Sequence, residues 1–565
     1  MENRWTISFL DEKIEIFEDI HPIIQRILRL RGFTNKEDML DFLSDKPQST
    51  YDPSLMKNMD RAADLVLQAV TEGKNICIYG DYDVDGISSV SLMMELFSYL
   101  TPNCRYYIPS RFEEGYGLNK EALKHIKEEG TDLVITVDCG AAAIEEVKYA
   151  KEIGLDIIIT DHHNVREELP DCLIVNPKQK DCMYPFKEIC GCGVAFKLAQ
   201  MIQRKANLNK GLLLNLLDLT AIATVSDVVP LVDENRVFVK YGLSIIRERR
   251  RKGLSGLIEG VGLNEKIINA YHIAFILGPH LNAGGRVDTA ETGVKLLLSK
   301  DKDEINELTR KLVEFNRERK NIQNSGFEKC IEIVDANHRE DLFLVLEAQD
   351  IHEGVAGIIA GKIKERYYRP TIIVTKSKEE GIYKGTGRSI ENLDMFAEMK
   401  KFENLFVKFG GHSSACGFSI EINNLFELRK SLNEEMAKIK EKDPDCFIQE
   451  LKIALELKMQ DLTMELIDTL NKLEPFGHKN ERPLFLIRSL EIFNVSLMGP
   501  KKEHIKFICK DEHENILEAV GFNMSEKYKT LDNPRKIDLV GFPEKNSYNG
   551  VRKIQFLISD FKKAQ

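Results

Sequence analysis

An acidic turn between a buried strand and a helix constrains the fold of this chain more than any other stretch. The apolar run of residues 76–79 leads into a turn that holds Asp81, Asp83 and Asp85, and an apolar helix is predicted from Ile87 to Leu100. Three carboxylates at every second position repel one another unless a cation lies between them. Because hard divalent cations prefer oxygen ligands, the turn predicts a metal site.

Two more strands of this kind follow, and acidic or imidazole side chains come directly after each. Residues 133–137 lead to Asp138, and residues 157–160 lead to His162 and His163, with a helix predicted between the strands. Short Val- and Ile-rich runs that alternate with helices are typical of a doubly wound parallel sheet in an α/β domain. Because ligands bind at the carboxyl ends of such strands, the sequence predicts one shared site at that edge.

The side chains at this edge have the types that a two-metal site requires. Carboxylates suit hard cations and can bridge two of them, and imidazole suits Mn²⁺ better than Mg²⁺. Two such cations about 4 Å apart activate a water and stabilise the leaving oxygen in phosphoester hydrolysis. A single Asp in such a loop is more often a turn or cap residue, but the combination favours metal ligands. The candidates are Asp81, Asp83, Asp85, Asp138, His162, His163 and Asp227.

Length, composition and charge set the broad class. The chain has 565 residues, of which 43% are hydrophobic and 30% charged, and this predicts about three or four globular domains. Since no apolar run reaches the roughly 18 residues of a membrane span and the N-terminal residues lack a signal-peptide pattern, we expect a cytoplasmic protein without a membrane partner. The net charge of −11 argues mildly against a nucleic-acid partner, although a local basic groove would outweigh the total.

The hydrophobic pattern also predicts the order of domains. A long connecting helix is expected because nothing interrupts its helical spacing before Ser325-Gly326, and Asn549-Gly550 is typical of a hairpin turn. Short strand candidates after about residue 450 indicate a small barrel or sandwich. The predicted parts are a helical lead-in (1–50), an α/β domain with the acidic motifs (51–240), a helical connector (241–335), a smaller α/β domain (336–448) and the β-rich domain (449–565).

Three other features have two interpretations each. Four cysteines lie close together but lack a paired C-x₂-C knuckle, so packed thiols are expected in preference to a zinc site. They are Cys172, Cys182, Cys190 and Cys192. Gly191-x-Gly193 before a helix indicates close helix packing more strongly than a phosphate loop. The basic run of residues 247–252 is either a solvated helix face or a stretch that tracks a phosphate backbone.

The motifs together resemble those of a known family. Asp161-His162-His163, with the acidic turn, Asp138 and Asp227, resembles the signature of the DHH phosphoesterase superfamily. Later stretches are similar to motifs of its RecJ family of single-strand-specific exonucleases, including the companion DHHA1 domain and an OB-type domain, over almost the whole chain. They are Gly278–Arg286, His352–Gly357, Gly387–Ser389, Gly410–His412 and Glu474–Gly477.

The resemblance implies a centre of two divalent cations, Mn²⁺ or Mg²⁺. Asp138 is expected to bridge them, and Asp81 either binds a cation or supports a residue that does. The other expected ligands are Asp83, Asp85, His162 and Asp227. His163 is expected to contact the scissile phosphate, so His163 and Asp138 are the expected catalytic residues.

The resemblance also implies that the DHHA1-type domain faces the metals and binds substrate phosphates. Arg suits bidentate phosphate contact, and Gly-rich loops let the backbone approach a phosphate. The expected substrate-binding residues are Asn282, Arg286, His352, Arg388, Ser389 and His412. Two stretches depart from the family pattern: His280 stands where the family has Arg, and residues 478–483 differ from its usual Gly-Asn-Pro.

Three function classes follow. The resemblance implies a 5′-to-3′ exonuclease that degrades single-stranded DNA to mononucleotides in DNA repair and recombination, with a single-strand-binding protein and a helicase as partners. Its OB-like domain would offer basic and aromatic surface to the strand. A DHH enzyme for small substrates (oligonucleotides, cyclic dinucleotides or pyrophosphate) explains the metal site and the DHHA1-type domain but not the C-terminal domain. A non-catalytic relative predicts lost acidic residues, and the motif carboxylates are all present.

Overall fold

A computed structural model describes residues 3–9, 16–44, 48–111, 114–115, 117–548 and 551–564. The chain forms two compact units, Ser49–Phe447 with Gly477–Lys479, and Met1–Gln48 with Ile448–Phe476 and Asn480–Gln565. The hairpin turn predicted at Asn549-Gly550 lies outside the described residues. Within the described ranges, no helix combines the length and the apolar composition that a membrane crossing needs.

The secondary structure alternates strands and helices through most of the larger unit. The strands are β1 Arg4–Ile7, β2 Ile76–Tyr79, β3 Cys104–Tyr107, β4 Leu133–Val137, β5 Asp156–Thr160, β6 Leu173–Val175, β7 Leu344–Glu347, β8 Thr371–Lys376, β9 Ile382–Arg388, β10 Phe406–His412, β11 Ala415–Glu421, β12 Glu450–Glu456, β13 Leu484–Met498, β14 His504–Lys510, β15 Ile516–Gly521, β16 Lys536–Tyr548 and β17 Val551–Lys563. The helices are α1 Pro22–Leu30, α2 Lys36–Leu43, α3 Met59–Thr71, α4 Val84–Phe97, α5 Lys120–Glu128, α6 Ile144–Glu152, α7 Gly191–Lys205, α8 Gly211–Ser226, α9 Asp233–Arg247, α10 Lys252–Gly260, α11 Ala270–His272, α12 Gly278–Leu281, α13 Gly284–Val287, α14 Glu291–Leu298, α15 Lys302–Ile333, α16 Glu353–Tyr367, α17 Met395–Lys400, α18 Leu425–Lys442, α19 Met464–Asn471 and α20 Ser525–Thr530.

The first α/β domain is built on a five-stranded sheet with the order β3-β2-β4-β5-β6, and its pairings are parallel, as predicted. Hydrophobic clusters cover both faces of the sheet, which explains why the central strands are apolar throughout. Tyr79 pairs with Thr136, and Val137 pairs with Thr160. The loops after β2, β4 and β5 therefore leave the sheet at the same edge.

The connector helix α15 runs from Lys302 to Ile333, so the break predicted at Ser325-Gly326 is wrong. Gly326 is buried, and a Cβ atom there would lie 2.6 Å from Cδ1 of Ile359 in α16. The glycine thus allows two helices to pack closely, and this contact outweighs the roughly 1 kcal/mol that a glycine costs inside a helix. The prediction of a long connecting helix is confirmed.

The second α/β domain has a mixed sheet with the order β10-β11-β9-β8-β7. β7 and β8 are parallel, whereas the pairings from β8 to β10 are antiparallel. Helix α16 packs on this sheet and on α15, and Val355, Ile359 and Ile363 bury its apolar face. Helix α16 begins after His352, and this packing places its N-terminus next to the connector helix α15.

The smaller unit contains a closed barrel. Strands β13, β14, β15, β17 and β16 pair in that order, and β16 returns to β13 around a core that includes Phe485, Phe507, Phe556 and Phe561. This confirms the predicted small β-barrel. β12 continues the sheet beside β13, and β1 pairs with β12 in parallel. Helices α1 and α2 lie in the predicted lead-in, whereas β1 was not predicted there.

Candidate active site

The acidic turn after β2 is held by the helix that follows it. Asp83 is the N-cap of α4, and its Oδ1 accepts hydrogen bonds from the N–H groups of Asp85 (2.9 Å) and Gly86 (3.1 Å). A Cβ atom at Gly86 would lie 2.3 Å from the carbonyl oxygen of Asp81, so the tight turn requires glycine. The turn thus gathers its carboxylates through capping geometry as well as through any cation.

Asp85 is fixed by the N-terminus of α7. Its Oδ2 accepts from the N–H of Gly191 and its Oδ1 from the N–H of Cys192, each at 2.7 Å. A Cβ atom on Gly191 would lie 2.4 Å from Oδ1 of Asp138, whereas one on Gly193 would meet Cγ1 of Ile189 at 2.3 Å. The close-packing interpretation of this glycine pair is confirmed, and Gly191 also makes room for a candidate ligand.

Asp138 and His162 meet at the centre of the site. Asp138 follows β4 with a left-handed backbone (φ 63°), a conformation that Asp and Asn tolerate better than most residues. Its Oδ1 lies 3.2 Å from Nε2 of His162. The same Nε2 lies 3.8 Å from Oδ2 of Asp85 and 3.7 Å from Oδ2 of Asp227, which caps the C-terminus of α8.

Three overlapping groups of side chains bring ligand atoms within 4.8 Å of one another. They are Asp81, Asp83 and Asp138; Asp85, His162 and Asp227; and Asp138, His162 and His163. The structure therefore brings together all seven side chains that the sequence proposed for the metal centre. Asp138 and His162 each belong to two of the groups, and of these two only Asp138 carries a carboxylate.

The electrostatics of these groups fit divalent cations. Asp81 Oδ1, Asp138 Oδ1 and His162 Nε2 are buried without a hydrogen-bond partner. Burial, together with neighbouring carboxylates, raises the pKa of Asp81, Asp138 and Asp227 well above the usual range and that of Asp85 to about 7. The carboxylates repel one another, and some of their oxygens and an imidazole nitrogen have no hydrogen-bond donor. Such oxygen and nitrogen atoms are the ligands found in Mn²⁺ and Mg²⁺ sites.

The two histidines have opposite environments. Burial and the charge of His163 lower the pKa of His162 to about 3, so its imidazole is neutral and able to bind a metal. Burial alone would lower the pKa of His163. A 2.8 Å hydrogen bond from its Nδ1 to Oδ1 of Asp161 outweighs this effect and raises the pKa to about 9. Asp161 also accepts from the N–H groups of His162 and Ala141. Asp161 therefore orients His163.

Guanidinium groups face the acidic turn from the other side. Arg286 in α13 donates to the carbonyl oxygen of Gly354 (2.9 Å), and a Cβ on Gly285 would lie 2.6 Å from the carbonyl oxygen of Tyr82. Burial and the charges of Arg111 and other arginines lower the pKa of Arg286 to about 10, and Asp83 opposes the shift. Arg388 reaches α16, where a Cβ on Gly357 would lie 3.0 Å from its Nη2.

The remaining predicted substrate residues have diverse positions. Asn282 is the C-cap of α12, and His352 caps α16 by accepting the N–H of Gly354 at Nδ1 (3.1 Å). Ser389 is buried, and its hydroxyl donates to the carbonyl oxygen of Leu393 (2.7 Å). His412 is exposed at the end of β10. Their substrate contacts stay predictions.

Two polar residues of the site had no role in the sequence prediction. Asp161 lies inside the recognised motif. Only its hydrogen bonds in the structure show that it positions His163, a role different from that of a metal ligand. Arg111 is a single Arg in a loop, with its guanidinium carbon 5.3 Å from the ring centroid of Tyr82. Its charge acts on Asp81, Arg286 and Arg388, so it belongs to the same cluster. No spacing in the sequence signals such a residue.

The ambiguous features now have structural explanations. Cys182, Cys190 and Cys192 are buried in the main core and Cys172 packs against a neighbouring cluster, so the packed-thiol interpretation is confirmed. In the basic run, Arg251 is buried against Asp218 and Glu95. Because Arg250 bonds to Glu248 and to Asn215, part of this run stabilises the fold.

Comparisons with known proteins give consistent matches. Sequence profiles match residues 75–224 (DHH family, N-terminal domain), 341–438 (DHHA1 domain) and 453–560 (RecJ OB domain). The chain is 39% identical over 563 residues to the single-stranded-DNA-specific exonuclease RecJ of Bacillus subtilis. The aligned region covers 99% of this chain and 70% of that protein. It is 31% identical over 571 residues to the RecJ of Salmonella typhimurium, with 97% of each chain covered.

The structure is also similar to that of RecJ from Thermus thermophilus in complex with Mn²⁺. The TM-score is 0.84 at 27% sequence identity, over 100% of this chain and 80% of the other. The Mg²⁺ complex of the same protein gives a TM-score of 0.78 at 26% identity, over 100% of this chain and 79% of the other.

Proposed function

Because the chain belongs to the RecJ family of single-stranded-DNA-specific exonucleases, we propose that it hydrolyses the phosphodiester bonds of single-stranded DNA in the 5′-to-3′ direction and releases mononucleotides. The observation that carries this proposal is the cluster of buried carboxylates and imidazoles around Asp138, which faces a cluster of arginines. Such a site suits a substrate with a chain of phosphates.

The proposed metal-binding residues divide the site between two cations. Asp81 and Asp83 on one side, and Asp85, His162 and Asp227 on the other, would hold them, with Asp138 between. Bound there, Mn²⁺ or Mg²⁺ would activate a water and offset negative charge on the reacting phosphate. The N-termini of α4 and α7 bind Asp83 and Asp85 and offset part of the negative charge of these two carboxylates.

His163 is the proposed proton and hydrogen-bond donor to the substrate. Because its Nδ1 is bonded to Asp161, the opposite ring nitrogen is the atom that serves the substrate. An imidazole oriented by a carboxylate donates to a phosphate oxygen without having to reorient in the transition state.

The proposed phosphate-binding residues lie on several elements of the same unit. Arg286 and Arg388, with Arg111, would bind strand phosphates, and guanidinium groups match phosphate oxygens in a bidentate manner. Asn282, His352, Ser389 and His412 complete the proposed set. Of these, Ser389 would act through its loop, because its hydroxyl already bonds to Leu393.

The barrel of the smaller unit favours a polymeric substrate over a dinucleotide. Residues 453–560 match the RecJ OB domain profile, and OB folds bind single strands through grooves and stacked aromatics. A small-molecule phosphoesterase would have no use for this unit. We also propose that the enzyme acts in the cytoplasm in DNA repair and recombination, beside a single-strand-binding protein and a helicase.

A manganese-dependent assay on single strands labelled at either end tests the proposal. The 5′-labelled strand should release labelled mononucleotide at once, whereas the 3′-labelled strand should shorten progressively. A duplex and a labelled dinucleotide serve as controls. Rapid hydrolysis of the dinucleotide with an intact long strand would favour the small-substrate function instead.

A further inference from the structure

The connector helix buries a guanidinium group that has no carboxylate partner among the described residues. Arg319 is 8% exposed, and its Nε donates to Oδ1 of Asn316 (3.0 Å) and its Nη1 to Oε1 of Gln323 (3.2 Å). Both acceptors are neutral amides of the same helix. Burial lowers the pKa of Arg319, and no anionic neighbour opposes the shift.

Two other buried cations of this unit are paired with carboxylates. Arg251 contacts Asp218 at 2.7 Å and Glu95 at 2.6 Å, and Lys197 forms an ion pair with Glu234. A buried charge without a counter-charge destabilises a fold unless something else supplies it. Because Arg319 has only neutral amide acceptors, an anion that does not belong to the chain would supply the missing counter-charge.

The surroundings of Arg319 are themselves positive. Burial lowers the pKa of both Arg286 and Lys362, and the charge of Arg319 contributes to each shift. The Lys362 ammonium lies 5.5 Å from the ring centroid of Phe327, an aromatic and not an acidic neighbour. Arg319 thus extends the positive cluster of Arg286 towards the connector helix.

A chain of hydrogen bonds holds this guanidinium in place. The Nδ1 of His280 lies 2.7 Å from the carbonyl oxygen of Ile276, so Nδ1 carries the proton and Nε2 accepts from Nδ2 of Asn316 at 2.9 Å. That orientation turns Oδ1 of Asn316 towards Arg319. The bonds to Asn316 and Gln323 use Nε and one N–H of Nη1, so Nη2 and the outer edge of the guanidinium remain for another acceptor.

We propose that Arg319 binds a phosphodiester group of the substrate strand on the connector side of Arg286, and that His280 and Asn316 position it. The inference rests on the proposed function, because strand phosphates are the anions that this function brings to the cluster. A preorganised guanidinium with an unused outer edge suits a phosphate in geometry and in charge.

Two variants and a control test this assignment in the full-length protein. Gln323→Glu places a carboxylate of nearly the same shape against Arg319, and Arg319→Gln removes the charge. Asn324→Asp adds the same negative charge one residue away on the exposed side of the helix. Binding of a fluorescent single-stranded oligonucleotide is measured by anisotropy in EDTA over a series of salt concentrations, and thermal unfolding is measured for each protein.

Loss of one phosphate contact should weaken binding on the order of 10- to 100-fold in Gln323→Glu and Arg319→Gln. It should also reduce the slope of log K against log salt by about 0.7, the value for one phosphate of a single strand. Gln323→Glu should unfold at the wild-type temperature or above it, because it pairs a buried charge. Asn324→Asp should bind like the wild type.

Opposite results would overturn the inference. Wild-type affinity and salt slope in Gln323→Glu, with a raised unfolding temperature, would assign Arg319 a purely structural role. An equal loss in Asn324→Asp would attribute the effect to overall charge. A wild-type chain that neither binds nor hydrolyses the strand would overturn the proposed function and this inference with it, whereas an active wild type with indifferent variants would overturn the inference alone.

Discussion

Nε2 of His162 lies 3.2 Å from Oδ1 of Asp138, and both atoms are buried without a hydrogen-bond partner. Two such acceptor atoms stabilise each other only when a proton or a metal cation lies between them, and burial raises the pKa of Asp138 so that a proton is held there when metal is absent. We therefore expect the pair to couple metal binding to the stability of the first α/β domain.

Asp138→Asn should separate this coupling from catalysis. The amide removes a buried charge that neighbouring carboxylates repel, so in EDTA the variant should unfold at the wild-type temperature or above it. Mn²⁺ at about 100 times its Kd should stabilise the wild type by about 2.7 kcal/mol and the variant by much less. Hydrolysis should be abolished. Asn tolerates the left-handed φ of 63°, whereas Asp138→Ala adds roughly 1 kcal/mol of backbone strain. Manganese-dependent activity in either variant would contradict the metal assignment.

Gly191→Ala should damage the site from a helix that carries no ligand. Its Cβ would lie 2.4 Å from Oδ1 of Asp138, so the carboxylate or the N-terminus of α7 must move. We expect a 10- to 100-fold loss of activity, on the order seen when support of a metal ligand is removed. Gly193→Ala is the matched control, because it creates similar crowding against Ile189. Equal losses of Mn²⁺ affinity in both variants would show that crowding in the core, and not the contact with Asp138, is responsible.

The fold was predictable where apolar periodicity and acidic motifs coincide. The apolar runs that form β2, β4 and β5 are each followed by motif residues. Because the carboxyl ends of parallel strands meet at one edge of a sheet, the sequence predicted that these residues share that edge. The end of α15 was not predictable, because a glycine such as Gly326 usually indicates the end of a helix. Its role in close packing is visible only in the structure, where it lies beside Ile359. β1 also depends on a partner, β12, that lies far away in the sequence.

The ligand types of the site were likewise visible in the sequence, but the supporting groups were not. Asp161 belongs to the motif, yet only its bonds to His163 and to the backbone give it a positioning role. Arg111 and Arg319 stand in no recognisable spacing. Their place in the cluster depends on tertiary packing that brings a loop, α13 and α15 together.

Asp161→Asn should disable His163 without removing a metal ligand. The carboxylate of Asp161 accepts hydrogen bonds from Nδ1 of His163 and from several backbone N–H groups. An amide has only one acceptor oxygen and can therefore accept only part of these hydrogen bonds. We expect kcat to fall on the order of 10²- to 10³-fold, the usual effect of misdirecting a transition-state donor. The Mn²⁺-induced rise in unfolding temperature should persist. Loss of that rise together with activity would indicate that Asp161 supports the metals instead.

Arg388→Ala should weaken substrate binding more than it changes metal content. Removing one charge-assisted hydrogen bond to phosphate costs about 1.5 to 3 kcal/mol, so KM should rise on the order of 10- to 100-fold. Lys384→Ala on the same strand is the control, because this exposed lysine pairs with Glu353 and not with the arginine cluster. Unchanged KM with a lost response to Mn²⁺ would reverse the assigned roles.

His280→Gln should reduce the sensitivity of folding to acid. Burial is the largest cause that lowers the pKa of His280, and the hydrogen bond to Ile276 only partly opposes it. The unfolded chain, with a His pKa of about 6.5, therefore binds more protons than the folded one as the pH falls below that value. The stability that neutral His280 contributes is present above about pH 6.5 and is lost as the pH falls towards the lower folded pKa.

Glutamine keeps one donor for Ile276 and one acceptor for Asn316 but does not titrate. The difference in unfolding temperature between about pH 7.5 and about pH 5, measured in EDTA, should therefore be smaller in His280→Gln than in the wild type. His125→Gln is the control, since the side chain of His125 is 58% exposed. If both variants keep the wild-type difference, other groups account for the acid sensitivity and the neutral state of His280 does not limit stability.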